Sequence, residues 1–131
     1  MRKSGILNHE LLDAIAMLGH TDLLVVADAG LPVPPGVRRI DLAVVGGVPR
    51  FMQVLQAVLG ELQIERAVIA QEMHVQSPDL HKELIAALGQ TPVDEVSHED
   101  LKQMTQHARA VVRTGEFTPY ANVVLVSGVV F

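Results

Sequence analysis

Four polar clusters fall at the ends of apolar segments, where a rigid scaffold commonly presents functional groups on loops. They are Gly19-His20-Thr21-Asp22, Asp28-Ala29-Gly30-Leu31-Pro32, Ser97-His98-Glu99, and the run from Arg113 to Asn122, which holds the only tyrosine, Tyr120. Imidazole, carboxylate, phenol and amide side chains exchange protons near neutrality or hydrogen-bond polar ligands. Each has a plainer role when taken alone. His20 follows a helix-ending glycine and suits the last helical carbonyls. Asp28 can close an Asx-turn, His98 can be a solvated first-turn residue, and Tyr120 and Asn122 can be loop packing. His9, His74, His81 and His107 have no supporting neighbours in the sequence and read as surface residues.

Other chemistries find less support. The Gly46-Gly47 pair has neither the P-loop nor the GxGxxG spacing. There is no HExxH pair and no Gly-x-Ser-x-Gly elbow. With no cysteine, disulfides, thiolate zinc sites and thiol catalysis drop out together. A metal would need His20, His98 and an Asp to converge in space. Ten scattered Lys and Arg residues against a net charge of −5 give no stripe to neutralise phosphates, and 3% aromatics give no stacking platform, so nucleic acid is not an expected partner. No apolar run reaches the roughly 18 residues that span a bilayer, and charges interrupt the N-terminal segment before a secretory core forms. The expectation is a soluble, cytoplasmic protein without membrane insertion.

The elements that must position these clusters alternate along the chain. Asn8 caps a helix over His9–Leu18, which Gly19 stops. Leu23–Ala27 is a short continuous apolar run, as a strand covered on both faces shows, and a turn-rich loop follows over 28–36. A strand is expected over Arg39–Val45, a helix over Pro49–Leu62, and a strand over Arg66–Ala70. Ser77-Pro78 opens a helix that runs to Leu88. A weaker strand over Pro92–Val96 precedes a helix capped by Ser97. Ala110–Arg113 and Asn122–Val130 are the last strands, expected as an antiparallel pair. Strands alternating with helices over 131 residues predict one α/β domain, residues 1–131, in three α/β/α layers around a mixed, mostly parallel sheet. The 49% hydrophobic content is generous for so small a monomer and points to apolar surface shared between subunits.

Together, the strings Gly5-Ile6-Leu7-Asn8, Leu18 to Asp22, Ala27 to Pro32, Ile40-Asp41-Leu42, Ser97-His98-Glu99 and Arg113 to Asn122 resemble the D-ribose pyranase family of the ribose and fucose mutarotases. They run in family order along essentially the whole chain, and only the middle, 49–94, lacks a distinctive string. Thr21 and Gly30-Leu31-Pro32 are similar to the ribose branch. The resemblance implies that His20 is the acid–base residue and that Asp28, His98, Tyr120, Ala121 and Asn122 bind the sugar. It implies interconversion of β-D-ribopyranose and β-D-ribofuranose, with no cofactor and no metal, supplying furanose for ribose phosphorylation and catabolism. It also implies a ring-like homo-oligomer, a homodecamer, with its pocket at a subunit interface.

Opening a hemiacetal ring needs one proton removed from the anomeric hydroxyl and one delivered to the ring oxygen, work suited to a group with a pKa near neutrality. His98 or a water can carry the second proton. An extended chain from His20 to Asp28 reaches up to about 26 Å, too far for both to touch one pentose. The two are therefore expected to meet from different subunits. The competing expectations are another sugar such as fucose, a non-catalytic sugar-binding partner of a ribose transporter, and a metal-dependent enzyme using the histidines. Whether Arg113 and Glu116 serve the pocket or the fold stays open at this level.

Overall fold

The computed structural model describes residues 1–131. Its elements are α1 (His9–Met17), β1 (Leu23–Ala27), β2 (Arg38–Asp41), α2 (Phe51–Leu59), β3 (Ile64–Ala70), α3 (Gln71–Gln76), α4 (Pro78–Leu88), β4 (Val93–Val96), α5 (His98–Met104), β5 (Ala110–Arg113) and β6 (Val123–Ser127). A 3-10 turn over Thr105–His107 extends α5. Two helix starts follow the cap chemistry, with Asn8 accepting the Leu11 N–H and Ser97 accepting the Asp100 N–H. Ser77, expected as the cap of α4, makes no side-chain cap bond and donates its hydroxyl to the Pro119 carbonyl instead.

The six strands form one sheet in the order β2-β5-β1-β6-β3-β4. Every pairing is parallel except those of β6, which lies antiparallel between β1 and β3. The sheet is thus mixed and mostly parallel, as the alternation predicts.

Successive strand residues feed two different cores, the consequence of a side-chain period of two. Leu24, Val26, Ala67, Ile69, Ala110, Val112, Val123 and Leu125 pack beneath α1, α2, α3 and α4. Val25, Ala27, Val68, Ala70, Val111 and Val124 point the other way, under Leu101 of α5 and Leu31 of the 28–37 loop. This makes three layers, the second helical layer much thinner than the first.

The structure corrects several expected boundaries. The second strand stops at Asp41: Leu42 makes the last ladder bond, to the Arg113 carbonyl, and Ala43 then turns its N–H back to the Asp41 carboxylate. The chain then turns back over Val45–Val48. The last strand ends at Ser127, not Val130. The final two strands are not a pair, since β1 lies between them. Helix α3 has no counterpart among the sequence expectations. It follows β3 without a turn residue and is too short to show periodicity.

Leu125 is fully buried in the larger core. Leu125→Ala is expected to cost about 2–5 kcal/mol of stability, read as a lowered midpoint in urea unfolding.

Candidate active site

Because β6 runs against its neighbours, its first residues arrive at the edge of the sheet where the parallel strands end. Asp28 follows β1, Glu72 follows β3, His98 follows β4, Arg113 ends β5, and Tyr120–Asn122 enter β6, all at this one edge. Ligands of open α/β sheets bind outside these carboxyl ends.

Asp28 and Asn122 grip each other reciprocally. The Asp28 N–H donates to Asn122 Oδ1 at 2.9 Å, and Asn122 Nδ2 donates to Asp28 Oδ2 at 3.1 Å. Asp28 Oδ1 also accepts the N–H groups of Gly30 at 2.9 Å and Leu31 at 2.8 Å. The Asx-turn and the pairing with Asn122 thus coexist in one residue. Of the carboxylate's roughly four acceptor positions three are used, and the fourth, on Oδ2, is open to a ligand hydroxyl. Asn122 is fully buried, and keeps one amide N–H and one lone pair beyond this pair.

Tyr120 and His98 face each other edge to face, with ring centroids 5.1 Å apart. Tyr120 holds a left-handed backbone, φ 62°, a costly conformation for a residue with a Cβ and one that gathers at functional sites. The backbone of His98 is fixed by the Glu72 carboxylate, whose two oxygens accept its main-chain N–H at 3.1 Å each. His98 Nδ1 is buried with no hydrogen-bond partner, the kind of orphan that a ligand or water network completes. Ala121 is fully buried in the larger core, so only its backbone is available to the site.

His20 does not join this group. It lies beyond the opposite end of β1, exposed, with Nε2 2.8 Å from Glu65 Oε2 at the start of β3. Asp22 on the same rim has its carboxyl held below the usual range by the Gly19 N–H and then by Arg109. The five residues of β1 alone span about 13 Å, so one chain does not bring His20 to Asp28.

Sequence reasoning left Glu65 and Glu72 unnamed. Glu65 fell just outside the expected strand and Glu72 inside the unexpected helix. It also left Arg113 and Glu116 undecided, and in the structure both bond to neighbouring loops. Arg113 pairs with Asp41 at 3.0 Å and donates to the Ala29 carbonyl at 3.0 Å. Glu116 accepts the Phe51 N–H at the start of α2, the Arg50 guanidinium and the Thr118 hydroxyl, while its own carbonyl accepts the Ala29 N–H. Burial pushes the Glu116 carboxyl up, but the bonds from Phe51, Thr118 and Arg50 outweigh it and hold it below the ordinary range. Through its backbone carbonyl and its carboxylate together, Glu116 ties the Asp28 loop, the Tyr120 loop and α2 to one another.

The chain matches the RbsD / FucU transport protein family over residues 1–130. It is 53% identical to the D-ribose pyranase of Coprothermobacter proteolyticus, covering 100% of both chains. It is 55% identical to the D-ribose pyranase of Geobacillus kaustophilus, over 100% of this chain and 96% of the relative. The solved structure of Bacillus subtilis RbsD complexed with D-ribose is similar with a TM-score of 0.97 at 44% identity, covering 100% of both chains. The fucose mutarotase of Streptococcus pneumoniae in complex with L-fucose shares the fold, with a TM-score of 0.76 at 22% identity over 95% of this chain and 94% of that one.

Glu116→Gln is expected to lower stability at neutral pH by about 1–3 kcal/mol, the scale for a buried hydrogen-bonded charge. A depressed carboxyl adds stability that is full above its unfolded pKa near 4.5 and is lost as pH falls through the lower folded value. The gap between wild type and variant should therefore narrow as unfolding is measured at pH values below 4.5.

Proposed function

The chain belongs to the RbsD / FucU transport protein family, and from that premise we propose that it is a D-ribose pyranase, an isomerase interconverting β-D-ribopyranose and β-D-ribofuranose. One observation carries this furthest. The edge that collects Asp28, Asn122, His98 and Tyr120 belongs to a chain 44% identical, at a TM-score of 0.97, to a protein solved with D-ribose. The furanose would feed ribose phosphorylation and catabolism, which places the work in the cytoplasm. No helix is long and apolar enough to cross a membrane.

Ring opening takes the anomeric hydroxyl proton and returns one to the ring oxygen, and the open aldehyde re-closes through a different hydroxyl. His20 is the acid–base group. Glu65 fixes one ring nitrogen, leaving Nδ1 to exchange a proton with the sugar. Asp28 Oδ2 accepts from a sugar hydroxyl, Asn122 supplies its remaining N–H, and the Tyr120 hydroxyl and the Ala121 backbone complete the cradle. His98 lines it and is the candidate for the second proton. Ring opening also occurs slowly in water, so positioning plus modest acid–base help suffices, without cofactor or metal.

The two halves meet between subunits. Beside the Asp28 edge, Val44, Val45, Val48 and Phe117 are all more than half exposed. Beside the His20 edge, Val130 and Phe131 lie beyond β6 with little cover. Different apolar patches at opposite ends of one molecule are what a head-to-tail contact requires, and such contacts close into rings when the rotation allows. A homodecamer is the assembly proposed here, each site taking His20 from one copy and the sugar-binding groups from the next.

Saturation-transfer NMR on equilibrated D-ribose tests the activity. Wild type should speed pyranose–furanose exchange, and His20→Ala should remove about 10²–10⁴-fold of that acceleration. Exchange left at the buffer rate by wild type refutes the pyranase assignment, and faster exchange of fucose than ribose moves it to the other branch. Mixing separates shared from intrachain sites. His20→Ala and Asp28→Asn chains, each inactive alone, should regain about a quarter of wild-type activity when co-assembled, as random head-to-tail pairing gives. No recovery in verified mixed oligomers would rule out the shared site.

A further inference from the structure

Two histidines that the sequence leaves as isolated surface residues come together with a carboxylate on the outer edge of the sheet. His74 on α3 and His81 on α4 stack, with ring centroids 4.3 Å apart and planes 10° from parallel. Both address the same oxygen of Glu95 on β4: His74 Nδ1 lies 3.7 Å and His81 Nε2 3.6 Å from Glu95 Oε1. All three atoms lie within 4.8 Å of one another. We propose that His74, His81 and Glu95 form a binding site for one divalent ion of the zinc class, separate from the sugar site.

The spacing carries the argument. These gaps exceed the roughly 3.2 Å limit of a good N–H···O hydrogen bond, so the groups do not satisfy one another. They lie close to the edge of a coordination tetrahedron, about 3.3–3.5 Å when metal–ligand bonds are 2.0–2.2 Å. Side-chain rotations, with His74 and Glu95 at the surface and His81 half-buried, would bring the three atoms, now within 4.8 Å of one another, onto one ion. Each ring already turns a nitrogen toward the same carboxylate oxygen, and rotating the two rings out of their stack would aim both lone pairs at one ion. Two imidazoles and one carboxylate match the donor preference of zinc and its neighbours.

The three elements are held independently of any ion. Met73 is fully buried beneath α3, and Ser77 at the α3–α4 junction donates its hydroxyl to the Pro119 carbonyl at 2.7 Å. Glu95 is fixed by the parallel register that pairs it with Ile69. A surface depression bordered by Gln71, Glu72 and Gln76 adjoins the cluster and leaves room for water as a fourth ligand. Only Glu72 belongs also to the sugar edge, through its bond to the His98 N–H.

Calorimetric titration of the full chain with Zn²⁺, and visible absorption with Co²⁺, test the site. One high-affinity ion per chain is expected, with Co²⁺ giving the intense d–d bands of a low-coordinate site. His74→Ala and Glu95→Gln should each weaken this binding by about tenfold or more, whereas the double variant His9→Ala/His107→Ala should retain it. Both single changes are at exposed positions, and circular dichroism checks that the variants fold. Absence of a high-affinity ion, or equal affinity and stoichiometry in wild type, His74→Ala and Glu95→Gln, would overturn the proposal.

Discussion

The direction of β6 is the constraint on which the rest of the molecule depends. Five strands run one way and would by themselves deliver only their C-terminal residues to the edge that holds the candidate site. By running the other way between β1 and β3, β6 brings its N-terminal residues to that same edge. Asn122 thereby reaches Asp28 across 94 residues of chain, and the two exchange hydrogen bonds that neither could make with a local partner. The loop ahead of β6 then has to descend sharply, which fits the left-handed backbone at Tyr120. Burying Val123, Val124 and Leu125 on both faces of the sheet holds this arrangement in place.

Polar groups at the edge divide into those that hold the loops and those with capacity to spare. Glu116 is consumed by its bonds to Phe51, Arg50 and Thr118, and Arg113 by Asp41 and Ala29. Their worth lies in fixing two loops against each other with charge-assisted bonds, of which only the Glu116 end is buried. Asp28 and Asn122 are also constrained, yet each retains one or two unused hydrogen-bonding positions. A rigid group with residual capacity is what preorganised recognition of a sugar hydroxyl needs.

Opposite placement of His20 and Asp28 is a covalent fact before it is a structural one. A straight β1 lies between them, and a strand cannot be folded back without losing its ladder to β5 and β6. A site that uses both is therefore completed by a second copy, and the exposed valines and phenylalanines at the two ends of the molecule give that copy an apolar surface to bury. In the proposed assembly, activity and subunit contact share one interface.

The sequence by itself determined the α/β alternation, most helix caps and the polar clusters, because caps, apolar runs and turn residues act over a few neighbouring positions. It also determined that His20 and Asp28 stand apart, since strand length follows from residue count. Only the tertiary structure decided that β6 is central, that Asp41 ends its strand by bonding to Arg113 and to its own neighbour, and that α3 exists. Only it decided that Glu65 serves His20, that Glu72 holds His98, and that His74 meets His81 and Glu95. Each of these pairs residues from different elements, and sequence spacing carries no information about which strand lies beside which. Strand order is set by how the whole apolar surface is best buried, so contacts across it become legible only once every element is packed.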